Sequence, residues 1–383
     1  GYNLTTSQTC HLNSTSKVVP TTGPGGLNLA NDGALGSYGG PTQTIALGPG
    51  SAAIDFVPSS FCATLKDAGG NPLTTDQRGV TRPQGNGCDA GAYEAPSLSL
   101  NVSPASPNGN PPWYKQTPTV TLGTGGLDVG QTASCTQLSG LTITASQPDQ
   151  SGSAQVLPGD GQYSIDCGVA QGQIALGFSY SGASLPLTLD IDTTPPTIDL
   201  QTPAATTYTL QAKVEADYSC SDPKAPDGAV GSGITAANCK GSVPSGQPVD
   251  TGTPGQHKFT VSASDNAGNT TTKSVTYTVA YATPSLPGST TTVQRGYYAL
   301  IRFAPEDVNG HDYASRNLKV TTVELDGDGQ TIPFVHQFQF AQLNGQPGYQ
   351  LEINTRSLAP GSWTLEVTIG NAATLYPISF TVE

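Results

Sequence analysis

The 383 residues contain no Met, only two Trp and only 11% charged side chains. Soluble domains usually carry about 25% charged residues, so the polar surface here must come largely from Ser and Thr. Lys and Arg number 15 against 28 Asp and Glu, a net charge of −13, and the cations form no run. A phosphate backbone or an anionic bilayer is held by clustered positive charge, which argues against nucleic acid, polyanions and membrane surfaces as partners. No apolar run reaches the roughly 18 residues of a membrane-spanning helix. The N-terminus also lacks the charged, apolar and cleavage regions of a secretory leader, so the chain is expected to be a trimmed product of a longer precursor. The four histidines, His11, His257, His311 and His336, are scattered. No Gly-x-Ser-x-Gly elbow, phosphate loop or C-x-x-C occurs, so no catalytic residue, metal ligand or cofactor is assigned.

Turn formers are plentiful: Gly 46 and Pro 31. Such a composition favours short strands over helices, and the length suits three or four domains of roughly 100 residues. Residues 1–95 carry apolar runs of a few residues, such as Leu27-Asn28-Leu29 and Thr44-Ile45-Ala46-Leu47, separated by Gly, Asn and Pro. Rungs of a parallel β-helix read this way, because each coil buries only small inward side chains and must turn sharply between strands.

Within that stretch stand Gly39-Gly40-Pro41-Thr42, Asp76-Gln77-Arg78-Gly79 with Arg82-Pro83, and Cys88-Asp89-Ala90-Gly91-Ala92-Tyr93-Glu94. These spaced motifs resemble the C-terminal end of the right-handed parallel β-helix in large bacterial surface proteins of the choice-of-anchor type. The resemblance implies a structural role. Asp55, Asp76, Asp89 and Glu94 could instead be read as glycosidase carboxylates. Mutual pairing is the better expectation, with Arg78 and Arg82 each holding a carboxylate in a bidentate geometry and pinning the last coil across the end of the stack.

Residues 96–193 open on the period-2 run Leu98-Ser99-Leu100-Asn101-Val102 and continue through Trp113-Tyr114 and Thr119-Val120-Thr121-Leu122, an order that resembles bacterial immunoglobulin-like modules. Asp190-Ile191-Asp192-Thr193-Thr194-Pro195-Pro196 then reads as a stiff link, since two prolines fix φ and remove donors. The phrase resembles the opening of tandem immunoglobulin-like repeats. Residues 194–281 follow that pattern, with Phe259, Val261 and Ala263 alternating toward a core and a hairpin turn at Asp265–Asn269. Residues 282–383 contain Tyr298-Ala299-Leu300-Ile301-Arg302-Phe303 and Gly361-Ser362-Trp363-Thr364-Leu365. They resemble a C-terminal Pro-x-Lys-Phe module, although Leu300 and Arg302 stand where that motif has Pro and Lys. Trp113 is expected to pack in the core or at the edge of a small sandwich, in preference to serving as a sugar-stacking platform, Trp363 is expected in a core, and Asp326-Gly327-Asp328-Gly329 in a hairpin loop.

The seven cysteines form three neighbour pairs, Cys62 with Cys88, Cys135 with Cys167 and Cys220 with Cys239, each inside one candidate domain, with Cys10 left over. Closing such loops of roughly 20 to 35 residues contributes about 3 kcal/mol each, and disulfides imply export. Asp222, Asp227 and Asp265 offer hard oxygens to calcium but lack the spacing of an EF-hand loop, so turn formation accounts for them. The Asn-x-Ser/Thr triplets at Asn3, Asn13, Asn101 and Asn269 are expected by chance in so Thr-rich a chain.

The expected class is therefore all-β, a truncated parallel β-helix end followed by tandem immunoglobulin-like sandwiches. The expected function is a non-catalytic structural or adhesive protein of the bacterial surface. Its expected partners are a second copy, bound through the open coil end or the terminal strand in a filament, or a surface glycan or protein. The alternative is the non-catalytic C-terminal part of a secreted polysaccharide-degrading β-helix enzyme.

Overall fold

The structure is a computed structural model of the chain, and it describes residues 2–9, 13–224, 228, 231–371 and 373–383. The described residues are all-β apart from single helical turns. They form two compact units, one of Gly1–Pro195 with Asp222–Gly233 and Asp265–Asn269, the other of Pro196–Ser221, Ile234–Ser264 and Thr270–Glu383.

In the first unit, β1 (Leu4–Thr5) pairs in parallel with β2 (Lys17–Val18). Further on, β3 (Val57–Pro58) runs antiparallel to β4 (Gly87–Cys88), and the turn α1 (Ser59–Cys62) sits between them in sequence. The intervening contacts are isolated antiparallel bridges, Leu29 to Leu47 and Gly36 to Thr44 among them. Only β1 and β2 thus show, among the described residues of this stretch, the parallel coil-on-coil ladder that the β-helix reading expects. Short runs broken by Gly and Pro close onto themselves as readily as onto the next coil, and the periodicity does not distinguish the two.

The rest of this unit is layered sheet. Its strands are β5 (Ser97–Ser103), β6 (Trp113–Tyr114), β7 (Thr119–Leu127), β8 (Gln131–Cys135), β9 (Thr142–Thr144), β10 (Gln150–Val156), β11 (Gly161–Ile165), β12 (Cys167–Gln171), β13 (Ile174–Leu176), β14 (Ser179–Gly182) and β15 (Leu187–Ile191). The sheets run β10-β7-β5-β14, β13-β12-β8-β9 and β11-β15-β6. Alternation in β5 sends Leu98 and Leu100 inward, Leu100 opposite Leu122 of β7, and Val120 of β7 is buried with them. The core they enter continues through Ala46, Leu47 and Tyr93. Residues before and after position 96 therefore bury their apolar side chains in common.

In the second unit, β16 (Thr197–Thr202) pairs with β18 (Asp217–Ser221), while β17 (Thr207–Thr209), β21 (Thr270–Ala280), β20 (Gly255–Ser264) and β19 (Cys239–Gly241) form one sheet over Phe259, Val261 and Val279. The strands β22 (Thr292–Val293), β29 (Leu375–Val382), β28 (Gly361–Ile369), β24 (Val320–Gly327) and β25 (Gln330–Pro333) form another sheet in that order, and β23 (Tyr298–Phe303), β27 (Gln346–Asn354) and β26 (Gln339–Leu343) face the same core. Asp328 and Gly329, both at positive φ, make the two-residue turn between β24 and β25, as the Asp-Gly sequence predicts. The terminal strand β29 is flanked by β28 and, over Thr381–Val382, by β22, so it is less open than its position at the end of the sequence implies.

Cys135 and Cys167 face each other across β8 and β12 with Cα atoms 4.0 Å apart. The corresponding separations are 5.9 Å for Cys62 and Cys88 and 5.8 Å for Cys220 and Cys239. All three pairs lie at disulfide distance. Cys10, His11 and Asp227 lie outside the described residues.

Candidate functional site

Two acidic clusters in the first unit hold the residue types that chemistry would use. The first is built on the segment 76–95. Arg78 donates from Nε and Nη2 to one oxygen of Asp76, at 2.9 and 2.7 Å, and from Nη2 to the Glu94 carbonyl at 2.6 Å. The other Asp76 oxygen accepts the backbone N–H groups of Arg78 and Val80. Both side chains are sealed from solvent, and the guanidinium lies 3.7 Å from the centre of the Tyr93 ring. Arg82 reaches Glu94 at 3.4 Å and donates to the carbonyls of Asp89 and Gly91.

The expected pairing of acids with arginines is present, but the grip is different. Arg78 holds one oxygen of Asp76, because the second is occupied by the turn's own amides. Asp128, at the end of β7, is a member that sequence reasoning missed: its carboxylate is fully buried 3.6 Å from Arg78. Asp128 and Arg78 also explain the Gly39-Gly40 pair. A Cβ on Gly39 would fall on the Asp128 carboxylate, and one on Gly40 would come within 2.6 Å of the Arg78 Cα, at φ values of +102° and +74°.

Asp89 accepts the N–H groups of Asp55 and Ala95, and Glu94 those of Gln84 and Asp89. Burial, with the Glu94 charge beside it, pushes the Asp89 carboxyl up to about 8, and burial raises Glu94 as well. Between its ordinary pKa near 3.8 and 8, Asp89 binds more proton in the folded state than in the unfolded. Its contribution to stability is therefore complete below about pH 4 and is lost as pH rises through 8, at no more than about 1.4 kcal/mol per pH unit. The urea midpoint reported by Trp113 is expected to fall between pH 5 and pH 9, and Asp89→Asn to flatten that fall. A midpoint that rises over this window would refute the assignment.

The second cluster joins Asp192, Asp222 and Asp265, whose carboxylate oxygens lie within 4.8 Å of one another. Among the described residues it is the group of His, Cys, Asp and Glu placed closely enough to share a metal ion. Asp192 and Asp265 are buried. Asp192 accepts the N–H groups of Ser232 and Thr194, and Asp265 those of Gly268 and Asn269. Asp222 accepts the Gly233 N–H through one oxygen, and its other oxygen is buried without a hydrogen-bond partner. Burial raises the Asp222 pKa, and the charges of Asp192, Asp265 and Asp160 raise it further.

Such a group is eased either by a shared proton or by a hard cation, which takes oxygen ligands at roughly 2.3–2.6 Å. Asp222→Asn keeps the acceptor for Gly233 and turns an amide donor toward the other carboxylates. In a chelator at pH 8 it is expected to raise the stability of this unit by on the order of 1 kcal/mol. If millimolar calcium stabilises the wild type and this variant loses the gain, the cluster is eased by a cation and the proton account fails.

From the sequence Asp222 and Asp265 read as turn residues, and their amide contacts agree with that role. Asp192 reads as part of the Thr-Pro-Pro link, and its approach to partners 30 and 73 positions away leaves no local signal. The three described histidines pack against aromatic rings, His257 on Tyr277, His311 by Tyr313 and His336 by Phe334.

No protein-family model matches the chain, and no curated protein matches it. Among solved structures, the I-band fragment I67–I69 of titin is 11% identical, with a TM-score of 0.23 over 75% of this chain and 95% of that one. Domains 4 and 5 of the S-layer protein SbsC are 14% identical, with a TM-score of 0.17 over 49% and 98%. Cadherin domains 3–6 of protocadherin gamma B2 are 12% identical, with a TM-score of 0.24 over 75% and 76%. Likenesses of this size carry no argument about function.

Proposed function

We propose that the chain is a non-catalytic structural and adhesive protein of the bacterial surface. The observation that carries this reading is the use made of its acids. In both clusters the carboxylates accept backbone N–H groups from the segments they join, Asp76 from Glu94, Asp89 from Asp55 and Ala95, and Asp192 from Ser232. A catalytic carboxylate must instead present an oxygen to substrate. Here the acids act as ties between loops.

In this reading residues 1–95 are the last coils and cap of a parallel β-helix, for which the parallel register of Leu4–Thr5 with Lys17–Val18 speaks. Sandwiches follow at 96–193, 194–281 and 282–383, the last of the Pro-x-Lys-Phe kind. Disulfides at Cys62–Cys88, Cys135–Cys167 and Cys220–Cys239 tie the first three parts and fit an exported protein. No helix among the described residues is long and apolar enough to cross a membrane. Stacking on the open coil end would build a filament.

Two measurements on protein taken from the cell surface test this. Non-reducing peptide mapping should recover the three local disulfides, and incubation with a panel of bacterial and plant polysaccharides should release no reducing ends. Free thiols at these six cysteines would overturn the exported scaffold, and released sugar the non-catalytic role.

A further inference from the structure

Sheet edges expose unpaired amides, and proteins normally protect them with short strands, charges, prolines or covering segments. Most edges here follow that rule. The edge strands β9, β13, β17 and β19 have three residues each, β25 ends in Pro333, and β16 and β18 carry Asp199 and Asp217. Along β23 the outer groups of Leu300 and Arg302 are taken up by Leu286, Ser289 and Thr290.

The edge strands β11, β14 and β26, of five, four and five residues, also lack charge and proline, but the longest such edge among the described residues is β10, in the sheet β10-β7-β5-β14. It is a seven-residue strand, Gln150-Ser151-Gly152-Ser153-Ala154-Gln155-Val156, with neither charge nor proline. A register shift between Gln150 and Gly152 leaves Gly152–Val156 as a regular ladder against β7. Ser151, Ser153 and Gln155 are exposed on one face of the sheet, and Leu157, 66% exposed, follows directly.

We infer that the edge of β10 pairs antiparallel with β10 of a second copy, about a two-fold axis at Ser153. The strand suits itself in this register. Gln150 stands opposite Val156, Ser151 opposite Gln155 and Gly152 opposite Ala154, so no like charges meet although each chain carries −13. The nearest acid, Asp149, falls opposite Leu157 instead of its own copy, and it is already engaged by Thr81 and Gln84. Pairing of this kind is isologous and closes at two copies, which separates it from filament growth through the coil end. It does not depend on where the protein resides.

Sedimentation of the full chain from low to high concentration is expected to show a monomer–dimer equilibrium that strengthens in 0.5 M salt, as repulsion between the acidic chains is screened. Hydrogen exchange at Gln150–Val156 should slow as protein concentration rises. Ser153→Lys places two cations at the axis and should weaken dimerisation at least about fivefold. Asn101→Lys, on the same sheet but in the interior strand β5, should leave it unchanged. A wild-type chain that stays monomeric with concentration-independent exchange at β10 overturns the inference, as does a dimer that Ser153→Lys leaves intact.

Discussion

Arg78→Ala is expected to destabilise the first unit by about 3–5 kcal/mol, because it leaves buried carboxylates without their counter-charge. Asp76 and Asp128 are both sealed from solvent, and Arg78 faces each of them. The same truncation removes the donor to the Glu94 carbonyl and the cation over Tyr93. Arg78→Lys should recover only part of the loss, since an ammonium cannot reproduce the fork that spans Asp76 and Glu94. The two tryptophans make the measurement clean, with Trp113 in the first unit and Trp363 in the second. The urea transition seen by Trp113 should move to lower denaturant. If it stays where it is in Arg78→Ala, the ion network does not hold the closing segment in place.

Trp363→Ala should cost the second unit a similar amount, about 3–5 kcal/mol, for a different reason. The ring is 2% exposed, and its Nε1–H donates to the Ala359 carbonyl at 2.9 Å. Opposite it on β24 stands Gly327, where a Cβ would come within 2.5 Å of the ring, so the neighbouring strand has given up its side chain to admit the indole. Removing the indole therefore leaves a cavity that the backbone of β24 cannot fill. Thermal unfolding followed by circular dichroism should show the loss, and Trp363→Phe should show less than half of it. Equal stability of the alanine variant and the wild type would mean that the indole is not what this core is packed around.

Much of this organisation is legible without coordinates. Period-2 runs such as Leu98 to Val102, the Asp-Gly turn at 328–329 and the neighbour spacing of six cysteines are local signals. Strand alternation, turn chemistry and short-loop closure each act over a few residues or a few tens of residues. The acidic clusters are less legible. The pairing of Arg78 with Asp76 spans two positions and can be anticipated, whereas Asp128 joins from just past β7, 50 positions on. Asp192, Asp222 and Asp265 meet only because a link and two loops converge. Gly39-Gly40 looks like a generic turn until the groups occupying its Cβ positions are known.

By itself, then, the sequence determined the all-β class, the turn positions, the cysteine neighbours and the absence of any local catalytic motif. Those properties follow from side-chain alternation and from backbone preferences that each residue carries with it. Tertiary structure alone decided which carboxylates share a buried volume, whose charge Arg78 answers, and which of the described strands lie at sheet edges. These depend on distances between residues far apart in the chain. Burial then turns such distances into large energies, because a carboxylate without water must find a proton, a cation or a backbone N–H.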